Sequence, residues 1–133
     1  MKESLKSRIL GINTVLLSAL FGLVYLNKKF IRPRFEYEPV AGVLTGCFPN
    51  FLAAFIISLF IVTPVLIRKL ESGRLFVYAG SCFVFIILTV EEFKPMWGAS
   101  ETYDPWDVMA SGVGSLFAIG VFELLERTRT EKN

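Results

Sequence analysis

Four apolar blocks, each fenced by charge and almost free of it inside, constrain this chain more than any motif it carries. They are Ile9–Leu26, Val40–Ile67, Leu75–Val90 and Val108–Leu125. A bilayer core needs roughly 20 apolar residues of helix, with about 17–25 as the working range. The first and last blocks meet that length directly. The third meets it when it runs on to Lys94, which carries Glu91 and Glu92 to the interface. The second spans 28 residues. As a helix it is about 42 Å long, so it must tilt, bend or protrude. The chain has 133 residues, 53% of them hydrophobic, with mean hydropathy +0.56, and it masses its apolar residues in runs rather than in an amphipathic rhythm. Soluble domains are not built this way. The expectation is an all-α membrane protein. A single domain, residues 1–133, forms a compact bundle of four transmembrane helices at about 9–26, 40–67, 75–94 and 105–126.

Net charge is uninformative at +2, but placement is not. Lys2, Lys6, Arg8, Arg68, Lys69, Arg74, Arg127, Arg129 and Lys132 share one side of a four-span chain; Lys28, Lys29, Arg32, Arg34 and Lys94 share the other. Positive-inside bias puts both termini in the cytoplasm, with the protein multi-pass in the membrane. The basic start and first apolar run resemble a signal peptide, but no small-residue cleavage site precedes Lys28, so an uncleaved first helix is expected. Histidine is absent, and Cys47 and Cys82 lie singly within apolar blocks. No metal, cofactor or nucleic-acid partner is indicated.

Helices in lipid associate through close packing at small residues. Each block carries a candidate stripe: Gly11, Thr14, Ser18 and Gly22; Gly42, Gly46 and Asn50; Gly80 and Ser81; and Ala110, Gly114 and Ala118 beside Ser111 and Ser115. Asn50 is the polar exception and should face protein. Pro49 before it frees a backbone carbonyl one turn earlier and can bend the helix.

Between the third and fourth blocks, Thr89–Gly112 gathers Glu91, Glu92, Glu101, Asp104 and Asp107 against the single Lys94. Asp104-Pro105-Trp106-Asp107 reads as a helix start. Asp104 is the N-cap, Pro105 the first helical residue, and Asp107 complements the positive end of the helix dipole. Trp97, Tyr103 and Trp106 suit an interfacial aromatic belt. Capping does not account for Glu91 and Glu92, which end a helix where the dipole disfavours negative charge. Adjacent helical residues diverge by about 100°, so one of the two faces the bundle. Ser81, Val84 and Leu88 select Glu91. Asp107 precedes Ser111, Gly114 and Ala118 at helical steps, which aims it along the packing seam. The connection "KKFIRPRFEYEP" (Lys28 to Pro39) supplies Arg32 and Arg34 as partners for the two carboxylates.

These residues resemble the VanZ-like family of small bacterial membrane proteins. The family pattern is a glutamate ending one span, a polar residue three on, a loop arginine, an aspartate opening the next helix, an asparagine four on, and a glycine three beyond. Glu91, Asp107 and Gly114 match. Lys94 stands where glutamine is usual, Ser111 replaces asparagine, and Thr102 lies near the place of the arginine. The resemblance covers about Thr89 to Ala118. It implies an envelope role linked to low-level resistance against glycopeptide antibiotics such as teicoplanin.

The sequence therefore points to an outward-facing polar site built from Glu91, Asp107, Arg32, Arg34, Asp104, Ser111 and Asn50, with Trp97 and Trp106 beside it. Its partner is a membrane lipid or envelope amphiphile, and the chain is open to homo-oligomerisation. A small cation- or proton-coupled transporter and a non-catalytic structural subunit are the alternatives. An acid and base pair of Glu91 and Asp107 has no histidine, activated nucleophile or metal spacing to support an enzyme.

Overall fold

A computed structural model of the chain describes residues 2–93 and 105–132. Among these residues the regular structure is helical throughout. Helix α1 (Lys2–Leu26) passes into a π-helical turn, Asn27–Ile31, and then into the short helix α2 (Arg32–Phe35). A tight turn leads to α3 (Pro39–Arg68), followed by α4 (Gly73–Phe93) and α5 (Pro105–Glu131). Four helical rods, Lys2–Phe35, Pro39–Arg68, Gly73–Phe93 and Pro105–Glu131, are long and apolar enough to cross a membrane. Their outer faces leave Leu10, Phe21, Leu75, Phe83, Leu116 and Leu124 exposed to the surroundings. That distribution suits lipid and not water.

Two expected boundaries move. The segment Lys28–Pro39 is not a loop, because helix persists to Phe35. It contains no glycine to stop the helix, and the wider π turn leaves room for the ring of Pro33, which would otherwise crowd the carbonyl one turn before it. The N–H of Arg32 reaches back to the carbonyl of Asn27 in that turn. The last helix runs to Glu131 rather than 126. There the hydroxyls of Thr128 and Thr130 bond back to the carbonyls of Leu124 and Glu126, and Arg129 meets Glu126 at 3.5 Å.

Helices α3, α4 and α5 pack against one another, whereas α1 touches α3 alone among them. The most apolar window of the first rod is 6% buried, against 33% for α3 and for α5. A Cβ at Gly11 or Gly22 would meet nothing of another helix within 4 Å, so the stripe read along the first block is not a packing face among the described residues. Gly46 is likewise open. The α5 stripe behaves as the spacing predicts: Ala110, Ser111, Gly114, Ser115, Ala118 and Phe122 are all buried.

The closest approach is α5 on α3. A Cβ at Gly114 would overlap the carbonyl of Phe51 and stand 3.0 Å from both the Ala54 methyl and the Phe55 nitrogen. Backbones this close gain dispersion contacts that lipid cannot replace, which is how helices associate without a hydrophobic driving force. Beside this crossing Phe51 stacks between Phe48 and Phe55, and Phe117 of α5 meets it edge-on at 5.5 Å. One end of the three-helix core is closed by Val62, Val65, Val77 and Phe122. On that half Arg74 holds Glu123 through two bonds of 2.8 and 3.0 Å, and the Tyr78 hydroxyl donates to the same carboxylate at 3.1 Å. The α3–α4 turn is made at Lys69, in the left-handed region with φ 53°.

The first rod is pinned by one buried amide. Asn27 is 1% exposed, and its Nδ2 donates to the carbonyl of Thr45 at 2.8 Å. That carbonyl lies four residues before Pro49, so the ladder bond it would normally accept has no donor. Asn27 thus replaces the hydrogen bond that the proline removes. Asn50, expected to face protein, is half-buried. A double-mutant cycle tests the substitution of one bond by the other. Asn27→Ala strands a buried acceptor and should destabilise by about 1–3 kcal/mol. In a Pro49→Ala background the helix supplies its own donor, and most of that loss should vanish. Equal losses in both backgrounds, read by unfolding in detergent, would show the bond to be incidental.

Candidate functional site

The candidate site is the open end of the core, opposite the valine–phenylalanine closure. Two contacts set its register. Arg74 pairs with Glu123, and Phe85 lies against Gly112. Eleven residues separate Arg74 from Phe85 along α4, and eleven separate Glu123 from Gly112 along α5. The two helices are therefore antiparallel and in constant register. Six further residues along α4 reach Glu91, and the matching six back along α5 reach Trp106, next to Asp107. Gly80 against Ile61 seats α3 beside α4. Glu91 and Asp107 thus come to one level on adjacent helices, and the approach of Gly114 to Phe51 and Phe55 sets Asn50 about one turn further in, level with Ser111.

The faces agree with the levels. Buried positions on α4 run Gly73, Val77, Ser81 and Val84, and Leu88 and Glu91 continue that line at helical steps. Asp107 begins the buried line of α5. Both carboxylates are half-buried, and in each one oxygen, Oε2 of Glu91 and Oδ1 of Asp107, is wholly enclosed by protein. Glu91, Glu92, Trp106 and Asp107 are all engaged in hydrogen-bonding, ring or electrostatic interactions. Ser111 is buried, and its hydroxyl donates to the Asp107 carbonyl at 3.0 Å. Inward from it, the hydroxyls of Ser115, Ser81 and Ser58 are buried without a hydrogen-bond partner among the described residues. Ser81 and Ser115 also line a cavity of about 320 Å³ between α4 and α5.

Arg32 and Arg34 do not join this group. Both are exposed on α2, the first rod makes no packing contact with α4 or α5, and neither arginine forms an ion pair among the described residues. The long first rod carries them along its own axis instead of folding them over the mouth. Trp106 stands about half exposed at the rim. Lys94, Trp97, Thr102, Tyr103 and Asp104 lie outside the described residues, while Pro105 opens α5 with Asp107 in its first turn, as the spacing predicts. Two polar features escape sequence reasoning. Asn27 was signalled only by the carbonyl that Pro49 frees, and the Arg74–Glu123–Tyr78 cluster by nothing before the register of α4 and α5 is known.

Comparisons with protein-family profiles, curated proteins and solved structures give no match for this chain.

The placement of the arginines yields a direct expectation. Arg32→Gln combined with Arg34→Gln should change stability by no more than about 0.5 kcal/mol, the usual range for exposed residues. A loss of about 3–5 kcal/mol in detergent unfolding, the cost of breaking a buried pair, would mean that the arginines do reach the carboxylates.

Proposed function

We propose that this chain is a multi-pass protein of a bacterial cytoplasmic membrane that holds the headgroup of an envelope lipid or amphiphile at the mouth of its three-helix core. The observation that carries the reading is the pair of enclosed carboxylate oxygens, Oε2 of Glu91 and Oδ1 of Asp107, at one level on α4 and α5. Carboxylates held at the depth of a membrane interface are costly unless they serve a ligand, a pair or a proton. The described residues of the mouth bring acids, an amide and a hydroxyl. That set suits a headgroup with amines or hydroxyls, and it differs from the mixed acid and arginine site that the sequence suggests. Phe48, Phe51 and Phe117 lie just below and offer an apolar wall for the rest of the molecule.

The positive-inside pattern supports a mouth on the outer leaflet. The resemblance of Glu91, Asp107 and Gly114 to the VanZ-like pattern supports a part in tolerance of glycopeptide antibiotics. The buried serine hydroxyls favour a second reading, a small cation- or proton-coupled transporter. Against it, the hydroxyls stop at the cluster of Val62, Val65, Val77 and Phe122, and no polar side chain continues the line through that cluster among the described residues.

Charge-removing, shape-preserving changes test the proposal. Glu91→Gln and Asp107→Asn should each remove the amphiphile that co-purifies with gently extracted protein, read by native mass spectrometry, and each should abolish any gain in teicoplanin tolerance of an expressing host. Folded yield should be unchanged, and Glu92→Gln should be mild. If Glu92 is critical and Glu91 neutral, the inward assignment is wrong. If all three are neutral, the acids are caps and solvated helix ends, and the chain is a structural subunit.

A further inference from the structure

At the opposite end of the molecule a second, differently charged feature opens between the start of α1 and the end of α3. It is a cleft of about 650 Å³ lined by Lys2, Leu5, Lys6, Ile67, Arg68 and Lys69. Four of those six residues are cations, and none lining it is acidic. Among the described residues none of the four forms an ion pair. Leu5 and Ile67 are half-buried, whereas the four cations are exposed, so apolar and basic surface share one opening.

Helix stability does not explain this arrangement. Lys2 and Lys6 occupy the first turns of α1, where the helix dipole disfavours positive charge. They also stand four residues apart, a spacing at which like charges repel across one helical turn. Arg68 and Lys69 do suit the carboxyl end of α3. Yet Lys69 holds a left-handed conformation, φ 53°, at a turn where glycine is the favoured residue. A lysine retained there keeps a fourth charge at the cleft. Four cations drawn from two separate helices repel one another until an anion lies between them.

We infer that this cleft binds the phosphate headgroup of an anionic glycerophospholipid from the leaflet on the side of the two chain ends. The phosphate sits between Lys2 and Lys6 on one wall and Arg68 and Lys69 on the other, and the glycerol and acyl chain lie against Leu5 and Ile67. The occupant is a lipid rather than a soluble anion because the cleft joins basic surface to apolar surface at the end of two membrane-length helices. Since α1 packs on α3 alone, the bound lipid bridges the first rod to the core at this end, as the Asn27 bond does at the other.

Titration of the full chain in detergent with phosphatidylglycerol or phosphatidylcholine, followed by native mass spectrometry, tests the assignment. Phosphatidylglycerol should bind at least about tenfold tighter than phosphatidylcholine. Lys6→Gln with Arg68→Gln should weaken phosphatidylglycerol by about thirtyfold, the expected effect of two basic contacts at a membrane surface. Arg127→Gln with Lys132→Gln removes the same charge from the same end without touching the cleft, and it should cost less than about threefold. Lys6→Arg with Arg68→Lys should bind like the parent, which separates charge from folding. Equal losses in the two glutamine variants would reduce the effect to bulk charge and overturn the site. Equal affinity for the two lipids would overturn it as well, and displacement of the lipid by equimolar inorganic phosphate would assign the cleft to a soluble anion instead.

Discussion

There is no room for a side chain between α5 and α3 at Gly114, and the rest of the core is arranged around that fact. In lipid the apolar faces of helices gain nothing by leaving the solvent, so contact must come from shape. Gly114 brings the α5 backbone onto that of Phe51 and Phe55. The approach fixes the level of α5 on α3. With that level set, Phe122 falls among Val62, Val65 and Val77 at one end, while Asp107 is delivered to the other. Helix α4 is keyed to the same pair by Gly80 under Ile61 and by Phe85 over Gly112. A packing contact thus determines which polar groups meet.

Polarity inside this core is unevenly distributed, and the distribution separates structure from function. The Asn27 amide answers a defect created by Pro49 by donating to the Thr45 carbonyl. The Arg74–Glu123 pair ties α4 to α5 but is largely exposed on the arginine side, where ion pairs contribute little. Neither needs a ligand to account for it. The serine hydroxyls beneath the mouth are different, because the fold buries those of Ser58, Ser81 and Ser115 without a hydrogen-bond partner among the described residues. The proposed headgroup site draws on this asymmetry, with polar groups toward the mouth and Val62, Val65, Val77 and Phe122 clustered at the other end.

Much of this was legible in the sequence. Charge fences delimit the four spans because the cost of burying charge in a bilayer is large and local. The buried face of α5 was legible for a related reason: a period near 3.6 links Ala110, Ser111, Gly114 and Ala118, small residues whose burial packing demands. Helix ends were less legible. Thr128 and Thr130 extend α5 past its apolar edge by bonding to backbone carbonyls, and the π turn at Asn27–Ile31 carries helix through Pro33. Pairings across helices were hidden. Asn27 finds its partner 18 residues away, and Arg74 finds Glu123 at a separation of 49. Composition and period specify faces, but only packing specifies register. For the same reason Arg32 and Arg34 looked like partners for the acids when the first rod in fact carries them elsewhere.

The central claim is that Glu91 and Asp107 face one another across α4 and α5. Paired cysteines test it most directly, because a disulfide needs Cα atoms within about 7 Å and side chains that point together. With Cys47 and Cys82 replaced by serine, Glu91→Cys combined with Asp107→Cys should cross-link rapidly within one chain under mild oxidation in membranes. Glu92→Cys combined with Asp107→Cys should cross-link slowly or not at all. Faster closure of the Glu92 pair, or no closure of the Glu91 pair, would contradict the account.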